Sequence, residues 1–552
     1  MVDAITREQV LKRNSIERLK AEKFPLDIVH EFPELAGRSY ESVAEEDIVR
    51  LQWYGLYHDK PKTGFFMLRV KIPGGALTPA QLRTIGRLSS EYGRGYAELT
   101  TRQNIQLHWI RLADLPPVFE VLGKAGFTMA GGCGDTVRNV TGCPVSGIAA
   151  SELFDVQPIL TEVARFFYGN REYSDLPRKH KITLAACPYH CNLPEMHCIA
   201  LVGAVRDGQP GFAVRVGGGL STVPRLAKSL GVFVPATETI EVLRAVIDVW
   251  KDAPKYRMSR VKARLKFMMD DVGPERYRAL IEERLGRRLE DHVLPEAHPG
   301  EHLTGVHPQR DSGLVYAGFP VTAGLLNGEQ LQRIADLAEG ETAGVRLTRE
   351  QNFILTHIPA GRGDTVVSAI SAIGFPIGAS RLRAVSIACT GSPLCNYAVA
   401  LTKPRLVALV EHLERTVGPE ASTLRIHLDG CPHACAHHWT GDIGLQGTTL
   451  RERTAEGEKQ EGYDIYLRGG QAGRAAIGLP AVKRVPADQL NQHVERLVGF
   501  WIAERQEGED FRAFTDRKGD DELVAAAMQR SIDEVRAELP PRAARRAEVV
   551  DA

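Results

Sequence analysis

The chain repeats itself once, about 250 residues apart, and this repeat limits the folds that it can adopt. Three segments recur in the same order, namely Gln81–Leu88 with Gln330–Leu337, Thr101–Ile110 with Thr348–Ile358, and Thr141–Pro144 with Thr390–Pro393. The second pair contains one extra residue. Because the period is far too long for a solenoid, we predict a duplicated domain with pseudo-twofold symmetry.

The first copy of the repeat predicts a β-α-β-β-α half-domain. Phe65–Ile72 is apolar with β-branched members, which is typical of a strand. Thr78 then provides a helix N-cap ahead of a proline, and apolar residues follow at helical spacing. Two further strands, Tyr96–Leu99 and Asn104–Ile110, and a helix at Val118–Lys124 complete the unit.

Composition excludes several classes of protein. Lys+Arg and Asp+Glu are 69 each among 552 residues, so the zero net charge disfavours a nucleic-acid binder or a polybasic membrane binder. No apolar run approaches the roughly 20 residues that cross a bilayer, and the first residues lack the apolar core of a signal peptide. Nine cysteines, an odd number, disfavour a disulfide scaffold and favour a cytoplasmic protein with metal or redox cysteines.

Four cysteines form two close pairs, Cys389-x5-Cys395 and Cys431-x3-Cys435. Four thiolates are the usual ligands of an iron–sulfur cluster, because soft sulfur suits iron. Structural zinc sites prefer a C-x2–4-C spacing, but neighbouring histidines, including His433, keep zinc as an alternative. The other five cysteines are Cys133, Cys143, Cys187, Cys191 and Cys198, and all but Cys133 are interpreted as structural or inert. Cys187-x3-Cys191 could be a second metal pair, but no further pair accompanies it.

The two-pair spacing and the internal duplication resemble the assimilatory sulfite and nitrite reductases that carry sirohaem and a [4Fe–4S] cluster. The resemblance runs from about Lys12 to Leu523 and is strongest to the ferredoxin-dependent sulfite reductases of mycobacterial type. It implies that the four paired cysteines bind the cluster and that Cys435 also bridges to the sirohaem iron. The family usually has Asn where this chain has His433.

The resemblance also implies a set of basic residues around the cofactor and the substrate. The anion-binding, catalytic set is Arg69, Arg138, Lys179 and Lys181. The sirohaem-binding set is Arg102, Gln106, Arg178, Lys262 and Arg264, with Lys266 as a further candidate and Gly217–Gly219 beside the macrocycle. Sirohaem is a polycarboxylate and its substrates are small oxyanions, so charge-assisted hydrogen bonds suit both. Some relatives carry Arg where this chain has Glu98.

Two further residues match a covalent feature of some relatives. Relatives with the sequence CGD at Cys133 can join that cysteine to a tyrosine beside the sirohaem, and the matching tyrosine here is Tyr57. The resemblance therefore implies a possible Tyr57–Cys133 cross-link.

We therefore predict an α+β protein with the pseudo-twofold duplicated fold of sulfite and nitrite reductases. The expected divisions are an N-terminal wrap (1–60), a ferredoxin-like half-domain (61–130), a sirohaem-binding α/β domain (131–285), a linker (286–312), a second half-domain (313–380), a second α/β domain with the cluster cysteines (381–503) and a charged, helical tail (504–552). The last dozen residues are expected to be disordered.

The expected activity is the six-electron reduction of sulfite to sulfide by a monomer, with reduced ferredoxin as the electron donor. Lys181 in PRKHK favours sulfite, because the plant-type nitrite reductases carry Asn at that position. Reduction of nitrite to ammonia is the alternative, and a non-enzymatic Fe–S or zinc protein is a more distant one. No flavin or nicotinamide domain is evident, so the electron donor is a separate protein.

Overall fold

The structure is a computed structural model that describes residues 5–298, 300, 303–341, 343–378 and 380–539. The disorder expected for the last dozen residues lies outside the described residues. No helix in this part of the chain is both long enough and apolar enough to cross a membrane.

The strands are short, and most fall where apolar and β-branched residues are concentrated. In chain order they are β1 (Leu56–His58), β2 (Phe65–Val70), β3 (Ala76–Leu77), β4 (Tyr96–Leu99), β5 (Ile105–Arg111), β6 (Thr141–Gly142), β7 (Ile182–Ala185), β8 (Ile199–Arg206), β9 (Gln209–Val216), β10 (Lys228–Pro235), β11 (Glu290–Asp291), β12 (Gly305–Pro308), β13 (Leu314–Phe319), β14 (Leu325–Asn327), β15 (Gly344–Leu347), β16 (Phe353–Pro359), β17 (Ile387–Ala388), β18 (Ile426–Asp429), β19 (Ile443–Arg453), β20 (Lys459–Leu467) and β21 (Leu479–Pro486).

The α-helices cover the sheets and both ends of the chain. They are α1 (Arg7–Arg13), α2 (Ser15–Glu22), α3 (Phe32–Ala36), α4 (Glu45–Arg50), α5 (Pro79–Tyr92), α6 (Leu115–Lys124), α7 (Gln157–Phe167), α8 (Thr239–Lys251), α9 (Leu265–Leu285), α10 (Gly328–Gly340), α11 (Gly363–Ala372), α12 (Arg381–Val385), α13 (Lys403–Thr416), α14 (Leu490–Glu504), α15 (Phe511–Arg517), α16 (Asp520–Met528) and α17 (Ile532–Glu538). The predicted N-cap at Thr78 is confirmed, since its hydroxyl accepts a hydrogen bond from Gln81 N at 3.2 Å.

Four sheets build two pseudo-equivalent halves, which confirms the α+β duplication. The two half-domain sheets have the strand orders β1-β2-β5-β4-β14 and β12-β13-β16-β15-β3. The two larger domains have the orders β11-β10-β9-β8-β7-β6 and β17-β18-β19-β20-β21. In each larger sheet the first three strands along the chain are parallel, and the loops that follow them point to the same edge.

The two half-domains exchange strands, which the repeat did not predict. β3 from the first half pairs with β15 of the second, and β14 from the second half pairs with β4 of the first. Both half-domains also share one hydrophobic core, where Leu82 and Ile85 of α5 pack in the same cluster as Leu331 and Ile334 of α10. Neither half-domain sheet is therefore complete without the other half.

Two glutamines at equivalent places tie the halves together reciprocally. Gln103 Nε2 donates to Leu347 O of the second half at 3.0 Å, and Gln351 Nε2 donates to Leu99 O of the first half at 2.8 Å. Both glutamines have positive φ, 56° and 62°. Because both side chains are buried and hydrogen-bonded, the junction is specified by polar geometry as well as by apolar packing.

The structure corrects the alignment of the second repeat. Thr100 N donates to Asn104 O at 3.0 Å, and Thr348 N donates to Asn352 O at 2.9 Å in the same local arrangement. Thr348 therefore corresponds to Thr100 and not to Thr101. The expected extra residue is wrong, because from these two threonines the copies run without an insertion.

The described parts of the predicted wrap and of the predicted tail are both anchored on the larger domains. In the predicted wrap, Trp53 Nε1 donates to Ser174 O at 2.8 Å and Lys20 Nζ donates to Leu176 O at 2.9 Å. β1, which lies within that predicted wrap, pairs with β2 as part of the first sheet. In the predicted tail, Phe511 is buried in the core of the second α/β domain.

A glycine contact between α5 and α10 generates a test of the shared core. A Cβ added to Gly86 would lie 2.8 Å from Gly328 O and 3.0 Å from Gln332 N. Because backbone atoms cannot move aside as a side-chain end can, we expect Gly86→Ala to destabilise the protein by about 1–3 kcal/mol. Thermal or denaturant unfolding of the variant and of the unmodified chain measures this change in the free energy of unfolding.

Gly123, in α6, is the matched control. An added Cβ there meets nothing within 4 Å, so Gly123→Ala should be neutral or stabilising by up to about 1 kcal/mol. Equal stability of Gly86→Ala and Gly123→Ala would show that the two halves are not packed as closely as the structure has them.

Candidate functional site

Two lysines at the start of β7 stand within a group of cations. Burial, followed by the charges of Arg264 and Arg138 among others, lowers the pKa of Lys179 to about 7. The pKa of Lys181 is well below its usual value because of burial and then of Arg102 and Arg264. These five residues, all of them expected from the sequence, are therefore close enough to repel one another.

The described residues offer these cations no carboxylate. The side-chain ammonium groups of Lys179 and Lys181 have neither a hydrogen bond nor an ion pair within the described part of the chain. Among the described residues, the guanidinium groups of Arg102 and Arg138 donate only to the backbone carbonyls of Asn139 and Gly134. Desolvated like charges without a partner are costly, so the arrangement favours a bound anion.

Orphaned guanidinium nitrogens support the same interpretation. Arg264 Nε and Arg349 Nε are buried without a hydrogen-bond partner. A Cβ added to Gly219 would collide with the Arg264 guanidinium, so this glycine lets the arginine lie against the main chain. Since the lysines are partly accessible and yet strongly desolvated, the group lines a recess rather than an outer surface.

Strand register places three further polar residues side by side on the first half-domain sheet. Arg69 of β2 and Glu98 of β4 both lie opposite Gln106 of β5. Gln106 Oε1 accepts from Arg69 Nη2 at 2.8 Å, and Gln106 Nε2 donates to Glu98 Oε2 at 3.0 Å. Glu98, where some relatives have Arg, is 1% exposed and also accepts from Thr390 Oγ1 at 2.7 Å.

Tyr57 and Cys133 both lie beside Arg69. Arg69 Nη1 donates to Cys133 Sγ at 2.7 Å, and the Arg69 guanidinium lies 6.0 Å from the centre of the Tyr57 ring. Burial and then the charge of Cys133 raise the pKa of Tyr57. The structure thus brings together the two residues for which the resemblance implied a cross-link.

The paired cysteines follow the parallel strands of the second α/β domain. Cys389 comes directly after β17, and Cys431 comes two residues after β18. Gly430 N donates to Cys389 Sγ at 3.2 Å. Asp429 stabilises the second loop, because its carboxylate accepts from Ala436 N at 2.7 Å and from His438 Nδ1 at 2.9 Å.

Cys435 joins the cysteine loop to the cations. It is the only exposed one of the nine cysteines. Solvent reaches Cys435 through the recess, but the surrounding protein still desolvates its thiol, and this desolvation and the charge of Asp429 raise the pKa of the thiol, whereas Lys179 and Lys181 lower it. Cys435 O also accepts from Thr101 Oγ1 at 2.9 Å. The Cys435 thiol is therefore accessible from the recess and can bind a metal there. Its loop lies beside the other cysteines.

The other residues predicted to bind the cofactor differ in their exposure and in their hydrogen-bond partners. Arg178 Nη1 pairs with Asp135 Oδ1 at 3.1 Å. Lys262 is exposed, whereas Lys266 is 2% exposed and its Nζ donates to Leu220 O at 2.8 Å. The two lysines are four residues apart, but the chain enters α9 between them, and only the second points inward.

Sequence reasoning missed Arg349 as a member of the group. Arg349 is 3% exposed, its Nη1 donates to Asn192 O at 3.0 Å, and its charge, second to burial, lowers the pKa of Arg102. The signal was present, because Arg349 stands in the second copy of the repeat that supplies Arg102. His433, the departure from the usual Asn, lies with Nδ1 3.6 Å from Cys431 Sγ.

A recess lined by cations, beside a loop of cysteines and between duplicated α/β domains, defines a redox protein of the sirohaem reductase class. Family models agree with this. The Nitrite/Sulfite reductase ferredoxin-like half domain matches residues 58–125 and 307–373, and the Nitrite and sulphite reductase 4Fe-4S domain matches residues 133–289. The chain belongs to the nitrite and sulphite reductase family.

Individual relatives resemble the chain along most of its length. Sulfite reductase [ferredoxin] 1 of Mycolicibacterium paratuberculosis is 32% identical over 92% of this chain and 96% of the relative. Ferredoxin–nitrite reductase of Synechococcus elongatus is 35% identical over 88% and 96%. The solved structure of the Mycobacterium tuberculosis NirA protein superposes with a TM-score of 0.88 at 32% identity, covering 93% of this chain and 97% of that one. The two expected cofactors, sirohaem and a [4Fe–4S] cluster, agree with this family.

The contact between Arg69, Tyr57 and Cys133 generates a test. If the two side chains are joined, protease digestion and mass spectrometry will find one species that contains both peptides and is lighter than their sum by two hydrogen atoms. Cys133→Ala should release the Tyr57 peptide at its unmodified mass. Recovery of all Cys133 as an alkylated free thiol would refute the cross-link.

Proposed function

We propose that the chain reduces sulfite to sulfide with six electrons at a sirohaem coupled to a [4Fe–4S] cluster, with ferredoxin as the donor. The observation that carries the proposal is the group of buried cations without carboxylate partners beside Cys435. A polycarboxylate macrocycle and a small oxyanion together supply the negative charge that this group lacks.

The chemistry of the side chains indicates which of them would bind each cofactor. Cluster iron suits the four thiolates of Cys389, Cys395, Cys431 and Cys435. The sirohaem carboxylates suit Arg102, Arg178 and Arg264, with Gln106 as a neutral donor and Lys266 in place of the exposed Lys262. When bound, the two cofactors would relay electrons from ferredoxin to the substrate, and Cys435 is the exposed thiol of the four cysteines.

The residues that bind the negatively charged substrate are Arg69, Arg138, Lys179 and Lys181. The arginines orient the oxyanion through fixed N–H donors. The lysines have a pKa lowered by burial, so they release protons more readily than exposed lysines do. An oxyanion beside them raises their pKa again, which couples binding to proton uptake.

Nitrite reduction to ammonia is the second candidate, favoured by the 35% identity to the Synechococcus elongatus enzyme. Two ammonium groups near each other favour the dianion sulfite over singly charged nitrite. A non-enzymatic Fe–S or zinc protein would leave the cations unexplained. Visible absorption separates these classes, because a sirohaem protein has an intense Soret band, a plain Fe–S protein lacks it and a zinc protein is colourless.

The chain supplies both the cysteine loop and the cation group by itself, which supports a monomer. Its even balance of charge and its free thiols support a cytoplasmic location. Steady-state kinetics with sulfite and with nitrite, driven by reduced ferredoxin, test the activity directly. A kcat/KM for nitrite above that for sulfite would reverse the order of the two candidates.

Lys181→Asn should lower kcat/KM for sulfite about ten- to a hundredfold and change that for nitrite less. The reason is that the variant loses one charge-assisted contact, worth roughly 1.5–3 kcal/mol, and keeps a donor. Both constants are measured on one preparation with equal sirohaem occupancy. Lys262→Asn, at the exposed lysine, is the matched control and should leave both constants unchanged. A constant sulfite-to-nitrite ratio in Lys181→Asn would rule this lysine out as the discriminating cation.

Cys435→Ser should abolish sulfite reduction, because a hydroxyl is a poor ligand for iron and the Cys435 thiolate would hold both the cluster and the sirohaem. Iron and labile sulfide analysis with electron paramagnetic resonance will show altered or lost coupling between the cofactors. A stable, coloured Cys435→Ser protein that retains full six-electron activity would overturn the proposed role of this cysteine.

A further inference from the structure

Three cysteines of the first α/β domain form a compact group that the proposed reaction does not use. Cys143 comes directly after β6, and Cys187 and Cys191 lie in the loop after β7. Their sulfur atoms all lie within 4.8 Å of one another, and Cys187 Sγ is 3.2 Å from Cys191 Sγ. In the part of the chain that the structure describes, no other group of three or more His, Cys, Asp or Glu side chains is this compact.

Strand register shows that this group occupies the cluster position of the other half. In the first half Gly142 pairs with Leu184, and in the second half Ala388 pairs with Leu428. The residue after the first member of each pair is a cysteine in both halves. The repeat in the sequence had paired Cys143 with Ser392, and the strands move that correspondence by three residues.

The second loop agrees with the same register. Cys187 lies three residues after Leu184 and Cys431 three residues after Leu428, and each begins a C-x3-C motif. The first half therefore keeps a cysteine at three of the four positions that the cluster uses in the second half. The fourth position, six residues after the first cysteine, is Cys395 in the second half and Ala149 in the first.

The spacing of the sulfur atoms separates a single ion from a cluster. Two thiolates on one tetrahedral zinc ion lie about 3.8 Å apart, since each Zn–S bond is about 2.3 Å. A four-iron cluster places iron and sulfide atoms between its cysteines and needs them farther apart. Sulfur atoms that all lie within 4.8 Å of one another suit one soft ion.

The surroundings also suit thiolates. The sulfur atoms lie in an apolar cluster with Val145 and Ile354, where a metal ligand is protected from water. Arg346 Nη1 is buried without a hydrogen-bond partner, and Cys143 is one of the groups whose charge acts on this arginine. A nearby guanidinium offsets the net negative charge that three thiolates leave on a divalent ion.

We propose that Cys143, Cys187 and Cys191 form a second metal site, which binds one soft divalent ion such as zinc. Each thiol loses its proton to solvent when the metal binds, and no electron is transferred. Three thiolates leave one position of a tetrahedral ion for a water molecule or another exogenous ligand. Cys191 is partly exposed and gives the ion its route of entry.

The site would join the two halves of the protein. Ile354 of β16 belongs to the second half and packs in the same apolar cluster as the three cysteines. Pro188, between two of the ligands, accepts a hydrogen bond from His298 N of the inter-half linker at 2.9 Å. Metal binding should therefore fasten the loop after β7 against the linker and the second half-domain, and its role is structural.

Metal analysis of the full-length protein, purified with reductant and incubated with one equivalent of Zn²⁺, tests the site. We expect about one zinc ion per chain in addition to the cofactor iron, and its loss in Cys191→Ala. Cys133→Ala, which removes a buried cysteine outside the group, should retain the zinc. Co²⁺ in place of Zn²⁺ should give sulfur-to-cobalt charge-transfer absorption in the unmodified chain and not in Cys191→Ala. Zinc content that is the same in both variants, or absent from the unmodified chain, overturns the proposal.

Alkylation of the unmodified chain provides a measurement that needs no variant. The three cysteines should resist alkylation when Zn²⁺ is bound and react after a chelator removes it, with a lower apparent unfolding temperature in the chelated sample. Equal alkylation with and without chelator, or a Cys187–Cys191 disulfide that persists under reductant, also overturns the proposal. Neither readout depends on sulfite or nitrite turnover, so failure here leaves the proposed reaction untouched.

Discussion

Desolvated like charges, gathered at one point, are the constraint around which the molecule is organised. Lys179, Lys181, Arg102 and Arg264 repel one another where water is scarce, and the described residues provide no carboxylates among them. Such a group of cations is stable only where a rigid fold holds its members in place and away from water. The fold also determines the class of ligand, because a site with an excess of positive charge favours polyanions and oxyanions whatever its detailed shape.

The duplicated architecture provides this rigidity by crossing between the halves. Gln103 and Gln351 satisfy carbonyl groups of the opposite half, and the same turns carry Arg102 and Arg349 into the cation group. Duplication thus supplies two equivalent turns, and each has acquired its own residues. The cysteine positions have diverged in the same way, since one half has four thiols for a cluster and the other has three at closer range.

Much of this was accessible from the sequence, and the omissions have physical reasons. The duplication and the α+β class were predicted from the repeat and from local patterns, and the paired cysteines were singled out by their spacing. The basic residues came from the resemblance to a family, and their roles remain predictions. Strand exchange was not, because pairing between β3 and β15 depends on tertiary register and not on local preference. Lys262 and Lys266 could not be separated, since the turn into α9 decides which of them points inward. Cys143 appeared isolated because its partners are more than forty residues away in the chain.

The exchanged strands have a consequence for synthesis on the ribosome. The first half-domain sheet lacks its edge strand until Leu325–Asn327 has left the exit tunnel, long after the rest of that sheet has been made. Until then β4 presents an unpaired edge, which is the kind of surface that recruits chaperones or another nascent chain.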